Sequence, residues 1–298
     1  MKINTKKIEF FFFRLFEKLV HLIGFAKIKY IAKPFAYLFY YVFPIRKKVV
    51  IKNLAYAFPE KSETEIKNLA FKNYYSSALM FLEMLYLSKI TQSDFEKIIE
   101  IDDETKQRLI SYASDEKGTI FLTGHFGNWE LVGLFVGNIV SNIKRLNVLA
   151  KRQHNEYISN WLEAMRTRTG NKVVYVGKST KELFKIVLNK EIVALVADQR
   201  GKKEGMKIKF FGIDTPIHTG LAVIALKTKT PIVLILATRI KPGLYKLTIE
   251  ELRCEKLSEK WHDNEKCLMQ KYMSAMEEYI RENPEQWFWM HNIWKYSI

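Results

Sequence analysis

The sequence predicts an α/β fold: a central, largely parallel (mixed) sheet flanked by helices, behind an amphipathic helical layer at the amino terminus. Two observations carry this. Between residues 119 and 236, short β-branched runs alternate with stretches of helical character, the pattern of a parallel sheet built from strand–helix–strand units. Ahead of residue 119, apolar residues recur at helical spacing instead, and no repeat, low-complexity tract or Pro/Gly-rich linker interrupts the chain.

The elements follow in order. Residues 8–25 set Phe10 to Phe13, Leu15, Phe16, Leu19, Val20 and Ile23 on a broad apolar helical face. Arg14, Glu17, Lys18 and His21 break that run, so it fails the charge-free stretch of about 18 residues that a spanning helix requires. A second, aromatic run at 34–44 lies between Lys27, Lys29 and Lys33 on one side and Arg46-Lys47-Lys48 on the other. Rings and cations together suit the headgroup region of an anionic membrane. Residues 1–45 are therefore read as a membrane-interfacial helical segment and 46–298 as the main domain. Ile66, Leu69, Ala70, Tyr74, Leu79, Leu82 and Leu85 mark one long helix over 63–87. Strands are expected at 119–122, 146–149, 172–176, 192–196 and 231–236, with helices near 128–140, 155–169, 179–189 and 218–228. Residues 245–250 read as a further strand, antiparallel, and a final helix at about 263–282 stops before Pro284.

Composition narrows the function classes. Lys and Arg outnumber Asp and Glu by 48 to 32, a net charge of +16 that favours a polyanionic partner. The basic residues are dispersed and match no nucleic-acid module, so anionic membrane lipids are expected as partners and nucleic acid is not. Cys254 and Cys267 form no CxxC pair or His/Cys cluster and are expected as reduced thiols facing a cytosol, with no metal site. The first 45 residues carry no secretory cleavage site. Gly177-Lys-Ser-Thr180 is not a phosphate loop, because Lys172 stands where that loop needs glycine. A GxSxG elbow and an HExxH zinc motif are also missing.

The chemistry points to His125. The 119–122 strand runs into Thr123-Gly124, and Gly124 and Gly127 flank the histidine at the carboxyl end of a strand, where open α/β sheets bind ligands. Glu130 reaches His125 only if the histidine lies in the turn and the glutamate in the first helical turn, which this layout supplies. Glu130 is then expected to hold one ring nitrogen while the other takes a proton from a substrate hydroxyl. Asp198-Gln199 follows an apolar strand, and Arg166 and Arg168 carry guanidinium forks that match phosphate. The lysine-rich loop 200–209 suits an acidic protein or a membrane, while His21, His154, His218, His262 and His291 have no carboxylate at a telling spacing.

His125-Phe-Gly-Asn-Trp-Glu130 resembles the HxxxxD/E signature of glycerolipid acyltransferases, in the form used by the lipid A biosynthesis (lauroyl/myristoyl) branch. Further blocks are similar to that branch in the same order: Asn53-Leu-x-x-Ala-Phe-Pro59, Glu83, Lys151 with Asn155, Arg166-x-Arg168-x-Gly170, Asp198-Gln199, Phe210-Phe-Gly212 and Pro284-x-Gln-Trp-Phe-Trp-Met-His291. One departure is Asn292-Ile-Trp294 after His291, where the family often has basic residues; Lys295 partly restores the charge. The resemblance implies a glycerolipid acyltransferase-like fold and transfer of a fatty acyl chain from an acyl-carrier-protein or acyl-CoA thioester to a lipid hydroxyl. It implies no covalent acyl-enzyme and no further cofactor. His125 and Glu130 are then catalytic, with Asn128, Lys151, Arg166, Arg168, Asp198 and Gln199 binding substrate. An acidic acyl carrier protein and a phosphorylated lipid acceptor are the implied partners, met at the cytoplasmic face of a bacterial inner membrane. A lysophospholipid, aminolipid or glycolipid acceptor is the alternative, and a non-catalytic basic membrane- or nucleic-acid-binding protein the further one.

Overall fold

A computed structural model describes residues 5–175, 180–256 and 258–297, without the side chains of 180 and 181. Val176, expected to end a strand, and residues 177–179 of the rejected phosphate loop lie outside the described residues. The chain opens with helix α1 (Thr5–Ile23), a 3-10 turn (Phe25–Lys27), helix α2 (Ile28–Tyr37) and a π-helical stretch (Leu38–Val42). Helices α3 (Lys47–Ala57), α4 (Glu63–Leu87) and α5 (Gln92–Ile98) follow, then strand β1 (Ile99–Glu100) and helix α6 (Asp103–Ser114). The α/β part comprises β2 (Thr119–Thr123), α7 (Trp129–Val140), β3 (Leu146–Ala150), α8 (Glu156–Arg166), β4 (Lys172–Tyr175), α9 (Thr180–Leu188) and β5 (Ile192–Val196). It continues with β6 (Lys207–Phe210), β7 (Ile213–Pro216), α10 (Gly220–Thr228), β8 (Ile232–Lys241), β9 (Leu244–Glu251) and α11 (Trp261–Glu282), before a 3-10 turn at Pro284–Gln286.

The expected fold class is present. The sheet has seven strands in the order β1-β9-β8-β2-β5-β3-β4, all paired parallel except β8 with β9. Helix α4 starts on a capping box, in which Ser62 Oγ accepts from Glu65 N while Glu65 Oε2 accepts from Ser62 N. Helix α8 stops three residues short of expectation, at Arg166, where a turn leads to Gly170 at φ +86°. The hairpin β6–β7 was not expected. Phe211 and Gly212 at its tip both have positive φ, +50° and +74°, as a tight type I′-like turn requires.

Strand side chains alternate between two cores. Ile120 and Leu122 of β2 join one that includes Leu183, Ala222, Tyr272, Trp287, Trp289 and Trp294. Phe121 faces the other, with Leu131, Val132, Leu134 and Phe135 of α7. The amino-terminal helices join that second core through Val20, Ile28 and Ala32, packed with Leu79, Leu82 and Leu85 of α4.

Glu17, read above as an interruption of an apolar run, is buried. Ser88 Oγ (2.6 Å) and Trp161 Nε1 (3.0 Å) donate to its Oε1, and Arg14 Nε lies 3.1 Å from its Oε2. A charge at this position thus anchors α1 to the end of α4 and to α8. The opposite side of α1 leaves Phe11, Phe12, Leu15, Leu19 and Leu22 exposed, and Tyr37, Tyr41 and Phe43 are exposed farther along. Among the described residues no helix is long and apolar enough to cross a membrane.

The cysteines correct an expectation. Cys254 and Cys267 are joined in a disulfide rather than free, because the first turns of α11 bring the second beside the first, with Cα atoms 6.2 Å apart.

Candidate active site

The turn after β2 is built by close approach. A Cβ on Gly124 would stand 2.2 Å from Met276 Cε of α11, and one on Gly127 only 1.9 Å from the carbonyl oxygen of Ala237, with φ at +58°. Glycine is required at 127, where the clash is with backbone and φ is positive, whereas a side chain at 124 would have to displace the end of Met276. The turn then pairs with the segment after the Pro284–Gln286 turn: Gly127 N donates to Gln286 O (3.1 Å) and Phe288 N to His125 O (2.9 Å). Asn128 ends the turn by capping α7, its Oδ1 accepting from Leu131 N at 3.1 Å.

The partner of His125 is Asp198. Strand β5 lies beside β2 with Thr123 opposite Val196, so the residues two past each strand end meet. Nδ1 of His125 is 2.6 Å from Asp198 Oδ1, and His125 N donates to Oδ2 at 2.7 Å. Trp287 Nε1 donates to the same Oδ2, also at 2.7 Å. The carboxylate is 1% exposed and the imidazole 21%. Burial alone pulls the imidazole's pKa down; the charge and hydrogen bond of Asp198, with a smaller push from Glu130, carry it above its ordinary value. Burial pushes Asp198 up, but His125 and the hydrogen bonds from Trp287 and the His125 backbone bring it below the usual carboxylate range. Nε2 of His125 points outward, 3.4 Å from Gln199 Nε2, with the ring of Trp129 edge-on at 4.9 Å.

The expected contact of Glu130 with a ring nitrogen is therefore not made. Glu130 lies in the first turn of α7, as foreseen, but Arg166 takes both of its oxygens, Nε to Oε2 at 2.9 Å and Nη2 to Oε1 at 2.6 Å. A bidentate guanidinium uses the carboxylate fully in one plane, while Asp198 occupies Nδ1. Glu130 acts on the imidazole only through its charge.

Beside His125 opens a cavity of about 670 Å³ between α7 and the sheet. Its walls are apolar, including Phe121, Val132, Val136, Val148, Ala194 and Ile235. Polar groups are Thr123, His125, Glu130, Lys151, Gln153, Arg166, Asn171, Gln199 and His218. A Cβ on Gly133, also in the lining, would meet nothing within 4 Å. The site thus brings together His125, Glu130, Lys151, Arg166, Asp198 and Gln199. Two expected residues stand apart. Asn128 is 0% exposed, and its amide is spent on Leu131 N and Glu83, so it caps a helix rather than facing the cavity. Arg168 lies exposed in the turn after α8, away from the cavity lining.

Two residues were not singled out. Trp287 stands in the sequence only as part of the carboxyl-terminal block, with core packing and the membrane interface equally open to it, although a buried indole N–H needs an acceptor. His218 lines the cavity, and no spacing in the sequence points to it. His291 packs nearby as a neutral ring: burial, then the charge of Arg200, lowers its pKa to about 4.

A base with its orienter, at the mouth of an apolar cavity, can deprotonate a hydroxyl while an apolar chain is held beside it. None of the curated proteins compared with the chain matches it. The model of one family does, over residues 4–296, and the chain accordingly belongs to the bacterial lipid A biosynthesis acyltransferases.

Proposed function

We propose that this acyltransferase moves a fatty acyl chain from an acyl-carrier-protein or acyl-CoA thioester directly to a hydroxyl of a lipid A-type, phosphorylated acceptor. The observation that carries the reading is the His125–Asp198 pair at the mouth of the cavity beside α7. The donor chain lies along the apolar walls, with its thioester carbonyl near His125 Nε2. Asp198 keeps the proton on Nδ1, so Nε2 accepts the proton of the acceptor hydroxyl. The hydroxyl oxygen then attacks the carbonyl carbon and the C–S bond breaks. The imidazolium returns its proton to the departing thiolate. Glu130 holds Arg166 at the cavity wall, where its guanidinium faces charge developing on the carbonyl oxygen. Lys151 and Gln199 are the polar contacts at the rim.

The exposed apolar face of α1 and the rings of Tyr37, Tyr41 and Phe43 support peripheral attachment to an anionic membrane, the cytoplasmic face of the inner membrane in this reading. Lysines of the 200–209 stretch suit an acidic carrier protein.

The test incubates purified protein with acyl-carrier-protein and CoA donors and a panel of lipid acceptors, read by mass spectrometry. Transfer to a phosphorylated glucosamine lipid, abolished by His125→Ala, is expected. Full transfer by the His125→Ala protein would sink the mechanism, and transfer only to a lysophospholipid, aminolipid or other glycolipid would move the acceptor assignment.

A further inference from the structure

Behind the His125 turn lies a set of buried charges that the proton transfer above does not use. Glu83 of α4, Arg239 of β8 and Tyr245 of β9 are 1%, 8% and 0% exposed. The Tyr245 hydroxyl donates to Glu83 Oε2, and Arg239 Nε donates to the Tyr245 oxygen at 2.9 Å. Arg239 Nη1 donates to Ser76 Oγ at 2.6 Å, and its Nη2 stands 4.0 Å from Glu83 Oε2.

Two arms lead from this set to the turn. In the first, Glu83 Oε2 accepts from Asn128 Nδ2 at 3.1 Å. A carboxylate only accepts, so it fixes the amide with Oδ1 toward Leu131 N, the orientation that caps α7. In the second, the backbone of Arg239 exchanges two hydrogen bonds with the Gln286 side chain, at 2.7 and 2.9 Å. The Gln286 carbonyl in turn receives Gly127 N. The Asn128 flank of His125 therefore hangs on the Glu83 carboxylate, whose charge Arg239 balances, while the Gly127 flank hangs on the β8 backbone that the Arg239 side chain anchors to Ser76 and Tyr245. Apolar residues of similar volume often stabilise a fold as well as such a pair does, but they orient no amide.

We propose that Glu83 and Arg239 are positioning residues for His125, fixing the turn so that Nδ1 meets Asp198 and Nε2 faces the cavity. Neither touches substrate. The kinetic half of the test rests on the acyl-transfer reading. The spectroscopic half, the low-field proton resonance of His125 Nδ1–H (absent from His125→Ala), does not.

The double variant Glu83→Leu/Arg239→Met removes both charges at once. Asn128→Ser keeps a capping oxygen but cannot reach Glu83. Each is expected to melt close to the unsubstituted protein, to lose kcat by about 10- to 100-fold with KM unchanged, and to shift or broaden the His125 resonance. Glu83→Gln, which retains an acceptor for Asn128, recovers most of kcat. Retained kcat with an unmoved resonance overturns the proposal, as does a loss of kcat that only tracks melting temperature. If the double variant does not fold, Asn128→Ser and Glu83→Gln carry the same decision. If the unsubstituted protein transfers no acyl chain, the acyl-transfer reading fails and the resonance alone decides the positioning role.

Discussion

The two faces of the central sheet are built oppositely. On the α7 side, valines, alanines and Gly133 leave a cavity of about 670 Å³. On the other, Trp287, Trp289, Trp294, Phe210 and Phe211 fill the space, Trp287 and Trp289 meeting edge to face at 4.6 Å. An apolar void forfeits the dispersion contacts that the packed face keeps, and an apolar ligand restores them. The filled face does more than pack, because Trp287 reaches through to Asp198 and Phe288 holds the His125 carbonyl. One face is filled by side chains, and the other leaves room for an apolar chain beside His125.

The largest effect is expected where the faces meet. Asp198→Asn removes the charge that raises His125 and leaves an amide able to donate to Nδ1, putting the ring proton on Nε2, the wrong nitrogen. Transfer is expected to fall on the order of 10³- to 10⁴-fold in kcat. The residual rate also changes its pH dependence. In the proposed mechanism His125 must be neutral to act, so kcat/KM is expected to rise with pH through an imidazole pKa above the ordinary value. With Asn at 198 that rising limb moves to lower pH. A rate profile over pH 5 to 9 (roughly two units either side of neutrality, where imidazoles titrate) checks both. An unmoved limb would break the assignment of Asp198 as the orienter.

The cavity face comes next. Gly133→Leu projects a side chain into the cavity, and Gly133→Ala a methyl that meets nothing within 4 Å. Gly133→Leu is expected to reduce transfer of long acyl chains about tenfold or more while sparing short ones, measured by donor competition with mass spectrometric readout. Gly133→Ala is expected to raise stability by about 0.5–1 kcal/mol, since a helical glycine is replaced without a clash. Gly137→Ala, one turn on, has the opposite sign, because its Cβ would stand 1.9 Å from Asn171 Oδ1. Equal chain-length profiles for Gly133→Leu and the unsubstituted protein would place the donor chain elsewhere.

These sites were unequally legible in the sequence. His125, its two glycines and the polar residues at the strand ends could be read, because glycine next to a histidine at a strand terminus has few other uses. The partnership of His125 with Asp198 could not. It depends on β5 lying between β2 and β3 although β3 and β4 precede it in the chain, and no spacing encodes that order. The motif itself misled, since Glu130 is near in sequence but is claimed by Arg166 from another helix. Glu17 looked like a break in a membrane-facing run because its partners, Ser88 and Trp161, lie 71 and 144 residues away. The β6 strand was hidden in a lysine-rich stretch, although Ile208 and Phe210 alternate inward between Lys207 and Lys209. The disulfide was missed for the same reason as Asp198, since it needs the fold-back of α11.

The filled face is tested by Trp287→Phe, which keeps the ring and deletes one donor to a buried carboxylate. A cost of about 1–3 kcal/mol is expected, read as a fall in the denaturant midpoint. Losing that bond also raises the pKa of Asp198, with kcat affected far less than by Asp198→Asn. A large loss of kcat without loss of stability would show that the indole acts on the chemistry rather than on the carboxylate's setting.

The smallest effect concerns His291, which accepts from Arg200 N at 3.3 Å beside the tryptophans. Its pKa in the folded protein is about 4, against an unfolded value near 6.5. As pH falls below 6.5, the unfolded chain binds a proton there and the folded one does not, so stability declines until the folded pKa is passed. Above about pH 7.5 the residue contributes almost no pH dependence. Between pH 6.5 and 5.5 the decline amounts to about 1 kcal/mol. His291→Gln, which retains an acceptor for Arg200, is expected to flatten that slope while leaving stability at pH 8 nearly unchanged, measured by denaturant titration at each pH. An unchanged slope would mean that His291 titrates alike in the folded and unfolded chains, so that neither burial nor Arg200 perturbs it.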